Sequence, residues 1–224
     1  MTIIKLGGSV IQESLDQINP LLINFVRKIE NEFEKAVITV GGGLISRLFQ
    51  KYAAEHGATI RDQHHIGIRS LLLQAELVKS IYDQKRTYPI LIDNKRKLMH
   101  AIKLTKKYDF FITGAWNLGK SSDFDTIKNA IYFNSKEVLR ITNVDYVYDS
   151  DPKTNPNANI ITELTWEEYL NIIGNPKEHE PGKSYPVDPF AAKLAQKHKI
   201  AMKLTSLKSF LENSISDLKG STIK

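Results

Sequence analysis

Short, largely apolar runs that end in glycine constrain this chain more than any other feature of its sequence. Thr2–Leu6 runs into Gly7-Gly8-Ser9, Ala36–Val40 into Gly41-Gly42-Gly43, and Phe110–Thr113 into Gly114. Runs of this length and β-branched character read as buried strands. Between them lie stretches with apolar residues at helical spacing. Leu22, Phe25, Val26, Ile29 and Phe33 predict a helix over 15–34; Leu44, Leu48 and Tyr52 predict one over 44–56; Leu71, Leu72, Ala75 and Val78 predict one over 66–84. Further strands are expected at 88–92 and at Glu137–Thr142, and a helix at 123–134. This alternation specifies an α/β protein, a three-layer αβα sandwich with a mainly parallel central sheet. Ligands of such folds lie beyond the carboxyl ends of the strands, where these glycine loops sit.

Composition narrows the function classes. The 224 residues are long enough to bury a substantial core, and 42% hydrophobic with 25% charged residues is ordinary for a soluble protein. No run approaches the roughly 18 apolar residues of a membrane span, and no basic-then-apolar leader opens the chain, so a cytoplasmic protein without membrane partners is expected. The absence of cysteine excludes disulfides, thiolate catalysis and cysteine metal sites, and His56, His64, His65, His100, His179 and His198 show no ligand spacing, so no metal-ligating residues are assigned. The net charge of +6 is spread along the chain, and Lys95-Arg96-Lys97 and Lys106-Lys107 lack interleaved aromatics. A solvated basic surface, and a protein that handles small polyanions, is expected rather than nucleic-acid binding.

Several segments carry anion chemistry. Gly7-Gly8-Ser9 offers backbone N–H groups and a hydroxyl beside Lys5; it serves either as a tight turn or as a nest for phosphate. Gly41-Gly42-Gly43 opens a helix that carries Arg47 in its first turns, again a turn with a surface arginine or a phosphate site. Residues 113–125 run from a strand through a polar loop to Ser121-Ser122-Asp123, which supplies a helix cap, hydroxyls for a phosphate, or both. Thr142-Asn143-Val144-Asp145 through Asp151-Pro152-Lys153 follows a strand with acids, aromatics and an Asp-Pro turn. Residues 175–186, rich in proline and charge, read as a flexible loop.

These motifs, with Pro186-Val187-Asp188-Pro189-Phe190-Ala191-Ala192-Lys193, occur in the order found in the amino acid kinase superfamily. The resemblance spans nearly the whole chain and is strongest to its archaeal-type uridylate (UMP) kinases. It implies the amino acid kinase fold as a single domain over 1–224, with an acceptor-binding half at about 1–135 and an ATP-binding half at about 136–224. It also implies ATP and Mg²⁺, phosphoryl transfer to the phosphate of UMP giving UDP, and a homo-oligomer, dimer or hexamer. Lys5 and Asp123 become the catalytic pair, with Asp123 orienting the lysine. Gly8, Ser9, Gly43, Arg47, Thr142, Asn143, Tyr148 and Asp151 fall to ATP, and Gly42 faces the acceptor. The loop Ala115, Trp116, Asn117, Leu118, Gly119, Lys120, Ser121 and Ser122 cradles the acceptor phosphate. Lys183 is a further candidate cation, while Asp188 and Lys193 belong to a matched motif without an assigned role.

The chain departs from that pattern on the acceptor side. His64 stands where a ribose-binding aspartate is expected, with Asp62 two residues earlier, and Leu72 replaces an arginine. Trp116-Asn117-Leu118-Gly119-Lys120 replaces a His-Pro-Gly-His type of loop. The resemblance therefore leaves a second reading, a kinase of the same fold acting on another small phosphorylated acceptor such as an isoprenoid or aminomethylfuran phosphate. A non-catalytic nucleotide-binding protein is the third.

Overall fold

The computed structural model describes residues 1–152, 154–174, 176, 181 and 185–224; Lys153, Lys183 and most of the 175–186 loop lie outside them. The elements follow in the order β1 (Thr2–Leu6), α1 (Gly8–Ile11), α2 (Leu22–Glu32), β2 (Ala36–Val40), α3 (Gly43–Glu55), α4 (Ile60–Ile81), α5 (Lys95–Lys103), β3 (Phe110–Thr113), α6 (Ser122–Tyr132) and β4 (Glu137–Thr142). The chain continues through β5 (Val147–Tyr148), β6 (Ile160–Ile161), β7 (Glu163–Leu164), α7 (Trp166–Ile173), α8 (Pro189–His198), β8 (Ala201–Ser206), α9 (Leu207–Glu212) and β9 (Ser221–Ile223).

A seven-stranded sheet runs β3-β2-β1-β4-β8-β9-β7, parallel except where β9 returns against β8. β1 lies at its centre, with Lys5 opposite Thr39 of β2 on one side and Arg140 of β4 on the other. Alternate strand residues feed two separate cores. Ile3, Val37, Phe111 and Val138 pack with α5, α6, α7 and α8 on one face, and Ile4, Ile38, Ile112 and Leu139 pack with α2, α4 and α9 on the other. This is the three-layer sandwich expected from the sequence. Leu22, Phe25, Val26 and Ile29 give α2 its buried stripe, each side chain contributing about 1.5–3 kcal/mol through burial. Among the described residues no helix is long and apolar enough to cross a membrane.

Three expected elements are corrected. The helix predicted over 15–34 begins only at Leu22, because Pro20 disfavours helical backbone at Asn19, whose side chain instead accepts the Leu21 N–H at 2.9 Å. The helix predicted over 66–84 starts at Ile60, set by a capping box in which Thr59 and Asp62 bond each other's backbone N–H groups, and ends at Ile81. Residues 88–92 extend the edge of the sheet without forming a continuous strand: bridges occur at Thr87 and Ile92, and Pro89 between them has no N–H to donate.

Candidate active site

The strand-end glycine loops converge, and their glycines are required by contact. A Cβ on Gly8 would overlap the Gly43 nitrogen and Cα, and one on Gly41 would lie 2.7 Å from the Lys5 ammonium and 2.8 Å from the Gly8 nitrogen. Gly43 also has φ +59°, a left-handed conformation that favours glycine. The loops after β1 and β2 therefore touch backbone to backbone, directly beside Lys5. Gly43 begins α3, so a helix N-terminus opens at the same point, and the Gln74 amide donates to the Gly42 carbonyl at 2.5 Å and fixes its orientation. Bare backbone, a helix N-terminus and a cation together suit phosphate oxygens.

Lys5 is 2% exposed and donates to the Leu6 carbonyl at 2.9 Å. Burial drives its pKa down to about 7; Asp123 opposes this, Arg140 adds to it, and Asp125 opposes it more weakly. Asp123, in the first turn of α6, is held by an ion pair with Arg140 and accepts the Asp188 backbone N–H at 3.1 Å. The Asp188 carboxylate in turn caps α8, accepting from Phe190 and Ala191 at 3.0 Å each. Asp123 thus acts on Lys5 through its charge while its oxygens are engaged by Arg140 and Asp188. Beneath this group, the buried Asn129 amide donates to the hydroxyls of Thr39 and Thr113 at 3.0 Å each, tying α6 to β2 and β3.

A cleft beside the glycine junction is bounded by α3, α4 and the loop after β3. Of the residues assigned from sequence, Gly42, Gly43, Arg47, His64, Ala115, Gly119, Lys120, Ser121 and Ser122 line it. Gly43 and Arg47, expected towards ATP, share this cleft with residues expected to take the acceptor. Burial lowers the pKa of Arg47. Ser121 also caps α6 by accepting the Phe124 N–H at 3.3 Å. Asp62 belongs to the capping box of α4, while His64, with Gly67, Ile68 and Leu71 of the same helix, lines the cleft.

The other assigned residues stand outside the cleft lining. Trp116 packs against the core on the α6 face, and Leu118 is exposed. Thr142, at the end of β4, donates to the Asn143 side chain at 3.3 Å; Tyr148 lies in β5, and Asp151 is exposed in the loop beyond. Gly8 and Lys5 lie at the glycine junction next to the cleft, Ser9 follows Gly8 in α1, and Asp123 acts on Lys5 through its charge.

Sequence reasoning missed two charged residues here. Asp125, fully buried, accepts the Trp116 N–H at 3.1 Å, the Asn117 N–H at 3.5 Å and the Asn117 side-chain amide, so it pins the start of the loop. Burial raises its pKa to about 6 against these hydrogen bonds. Arg140 is the other. Its signal was present: a charge in the middle of the apolar run Val138-Leu139-Arg140-Ile141 must meet a buried anion. Lys120 was assigned, but its setting was not foreseen: its ammonium lies 4.2 Å from the centre of the Phe190 ring, which links the loop to α8.

The chain matches the model of the Amino acid kinase family over residues 1–206. It is 33% identical over 201 residues to the uridylate kinase of Thermococcus kodakarensis, covering 88% of this chain and 86% of that one. It is 27% identical over 224 residues to the uridylate kinase of Archaeoglobus fulgidus, covering 99% and 96%. The crystal structure of the Archaeoglobus fulgidus uridylate kinase superposes with a TM-score of 0.79 at 24% identity over 100% of both chains. That of the Bacillus anthracis UMP kinase gives 0.75 at 18% identity over 99% and 94%. A family model covering most of the sequence and a relative above 30% identity agree with the glycine junction and the parallel sheet: this chain belongs to the amino acid kinase family.

Proposed function

We propose that the protein is a UMP kinase, which moves the γ-phosphoryl group of ATP onto the phosphate of UMP and releases UDP and ADP. The observation that carries this reading is the glycine junction, where Gly8 meets Gly43 beside Lys5. The backbone contact that side chains here would prevent brings main-chain N–H groups, the N-terminus of α3 and the Lys5 cation together, a setting that suits phosphate.

Bound MgATP supplies the transferable group and, through its divalent ion, part of the charge neutralisation that a loose phosphoryl-transfer transition state needs. The chain's contribution is positioning and electrostatics. Backbone N–H groups of Gly8 and Ser9 hold the moving phosphoryl group, and Lys5 neutralises its charge. With a pKa near 7 in the free protein, Lys5 gains a proton when a polyphosphate approaches. Asp123 stabilises that charge. Gly42, His64, Lys120, Ser121 and Ser122 take the acceptor, with its phosphate at the start of α6, and Arg47, which lines the same cleft from α3, pairs with the ATP phosphates. Thr142, Asn143, Tyr148 and Asp151 receive the nucleotide base and ribose of ATP. This divides the chain into an acceptor half at about 1–135 and a nucleotide half at about 136–224. A homo-oligomer working in the cytoplasm completes the reading.

The names of the relatives support UMP, and so does the polar lining of the cleft, where Ser46, Arg47, Gln50, His64 and Lys120 face a polar rather than an isoprenoid acceptor. Purified protein given MgATP with UMP, CMP or dUMP, and monitored for ADP and for UDP, tests the assignment. Binding of ATP without turnover of any of the three overturns it.

A further inference from the structure

Arg140 is difficult to explain as a stabilising residue. It sits in β4, hydrogen-bonded between β1 and β8, and is 8% exposed. Its Nη1 is spent on Asp123, while its buried Nε has no hydrogen-bond partner among the described residues. A buried ion pair is commonly no more stabilising than apolar residues of similar size, and an orphaned donor adds a cost. An apolar side chain would suit this strand better on packing grounds alone.

Its position gives it another use. Arg140 is directly opposite Lys5 in the parallel ladder, and alternation sends both side chains to the α6 face. Charged groups face Lys5 from two elements: Asp123 and Asp125 from α6, and Arg140 from β4. From α8, Asp188 reaches the group through its backbone N–H to Asp123, and from α7 the Tyr169 hydroxyl feels Arg140, Asp123 and Asp188. Asp123 is therefore bonded directly to one cation, and its charge acts on a second.

We propose that Arg140 is a positioning residue of the phosphoryl-transfer centre: by engaging the Asp123 carboxylate, it limits how much of the aspartate's charge Lys5 receives. Burial lowers the Lys5 pKa to about 7 and Arg140 adds to this, so above that pH the lysine is largely neutral until an anion arrives. This rests on the kinase reading of the glycine junction but not on UMP as the acceptor. Loss of the guanidinium removes one cation from the neighbourhood of Lys5 and frees the Asp123 carboxylate. Lys5 then keeps its proton to higher pH in the free protein.

The test is calorimetric titration of the protein with MgADP near pH 8, in two buffers of different ionisation enthalpy, which counts protons taken up on binding. Wild type takes up a proton. Arg140→Gln takes up markedly fewer, and the alkaline limb of its nucleotide-binding pH profile moves up by about one unit. Arg140→Lys, which keeps a cation there, stays near wild type. Proton uptake and an alkaline limb in folded Arg140→Gln equal to those of wild type overturn the proposal. If Arg140→Gln does not fold, Asp123→Asn probes the same linkage from the other side: Arg140 is left unpaired beside Lys5, and the limb moves to lower pH. An unmoved limb there also overturns it. Failure of the underlying kinase reading looks different, as no MgADP binding at all in wild type.

Discussion

Gly8 and Gly43 occupy each other's side-chain space: a Cβ on Gly43 would lie 2.6 Å from the Gly8 carbonyl carbon and oxygen, and one on Gly8 would meet the Gly42 carbonyl carbon at 2.7 Å. Gly8→Ala must therefore separate two loops that meet here main chain to main chain. Overpacking of this kind costs about 1–3 kcal/mol, to be read as a lower urea midpoint. Nucleotide affinity is expected to fall by about tenfold or more, since a shift of about 1.4 kcal/mol at the phosphate seat is already tenfold. Unchanged stability and affinity in the Gly8→Ala variant contradict the described junction.

Lys5 gives a signed pH dependence. Burial lowers its pKa from 10.5 to about 7, so between these values the unfolded chain binds more protons than the native one. Its contribution makes stability rise with pH across that window. Lys5→Met abolishes this contribution while leaving the core filled. Urea unfolding of both proteins at about pH 7 and about pH 9 reads the difference, and the variant's stability should change less between them. Phosphoryl transfer by the variant is expected to fall by about 10²-fold or more.

Asp125 predicts a selective loss. Asp125→Asn replaces a carboxylate that accepts from Trp116 and Asn117, and hydrogen bonds to a charged group are worth about 1.5–3 kcal/mol. The acceptor KM is expected to rise about tenfold with little change in the KM for ATP. Because its pKa is raised to about 6, wild-type Asp125 gains a proton as pH falls through that value. Its grip on the loop then weakens, and the acceptor KM climbs in acid. The Asp125→Asn enzyme lacks this rise, which steady-state kinetics between about pH 5 and about pH 8 will show.

Phe190 offers a gentler probe. The Lys120 ammonium rests 4.2 Å from its ring centre, and Lys193 approaches the same ring at 5.3 Å. Phe190→Leu keeps most of the packing volume but removes about 0.5–1 kcal/mol of cation–π attraction. Lys120 then loses its orientation, and the acceptor KM is expected to rise severalfold with kcat nearly unchanged. A fall in kcat alone contradicts a positioning role for the ring.

β1 to β4 were legible in the sequence because parallel strands buried on both faces are written as continuous apolar runs. Where expectation failed, short-range chemistry outweighed periodicity. Asn19-Pro20 delays α2, Thr59 with Asp62 advances α4, and Pro89 interrupts the edge segment. The helix α5 was hidden in Lys95-Arg96-Lys97, which reads as a charge run until Leu98 and Ala101 are seen to be buried. In the site, the glycines and Lys5 announce themselves because backbone approach and a cation leave a local signature. Arg140 and Asp125 do not, since their partners lie in other elements: Arg140 needs Asp123 across 17 positions, and Asp125 needs a loop whose path is set by tertiary packing. The direction taken by Trp116, into the core and away from the cleft, was equally invisible in one dimension.

Hydrogen-bond ladders on both flanks of β1 have a consequence for how proteins of this design can diversify. The height of Lys5 is fixed twice over, against Thr39 and against Arg140, and a central strand has no free edge along which to slip. Loops around the cleft can lengthen, shorten or change chemistry without moving this reference point. Grafting the 115–122 segment from a kinase of different appetite should therefore redirect what receives the phosphoryl group while the donor end stays in place.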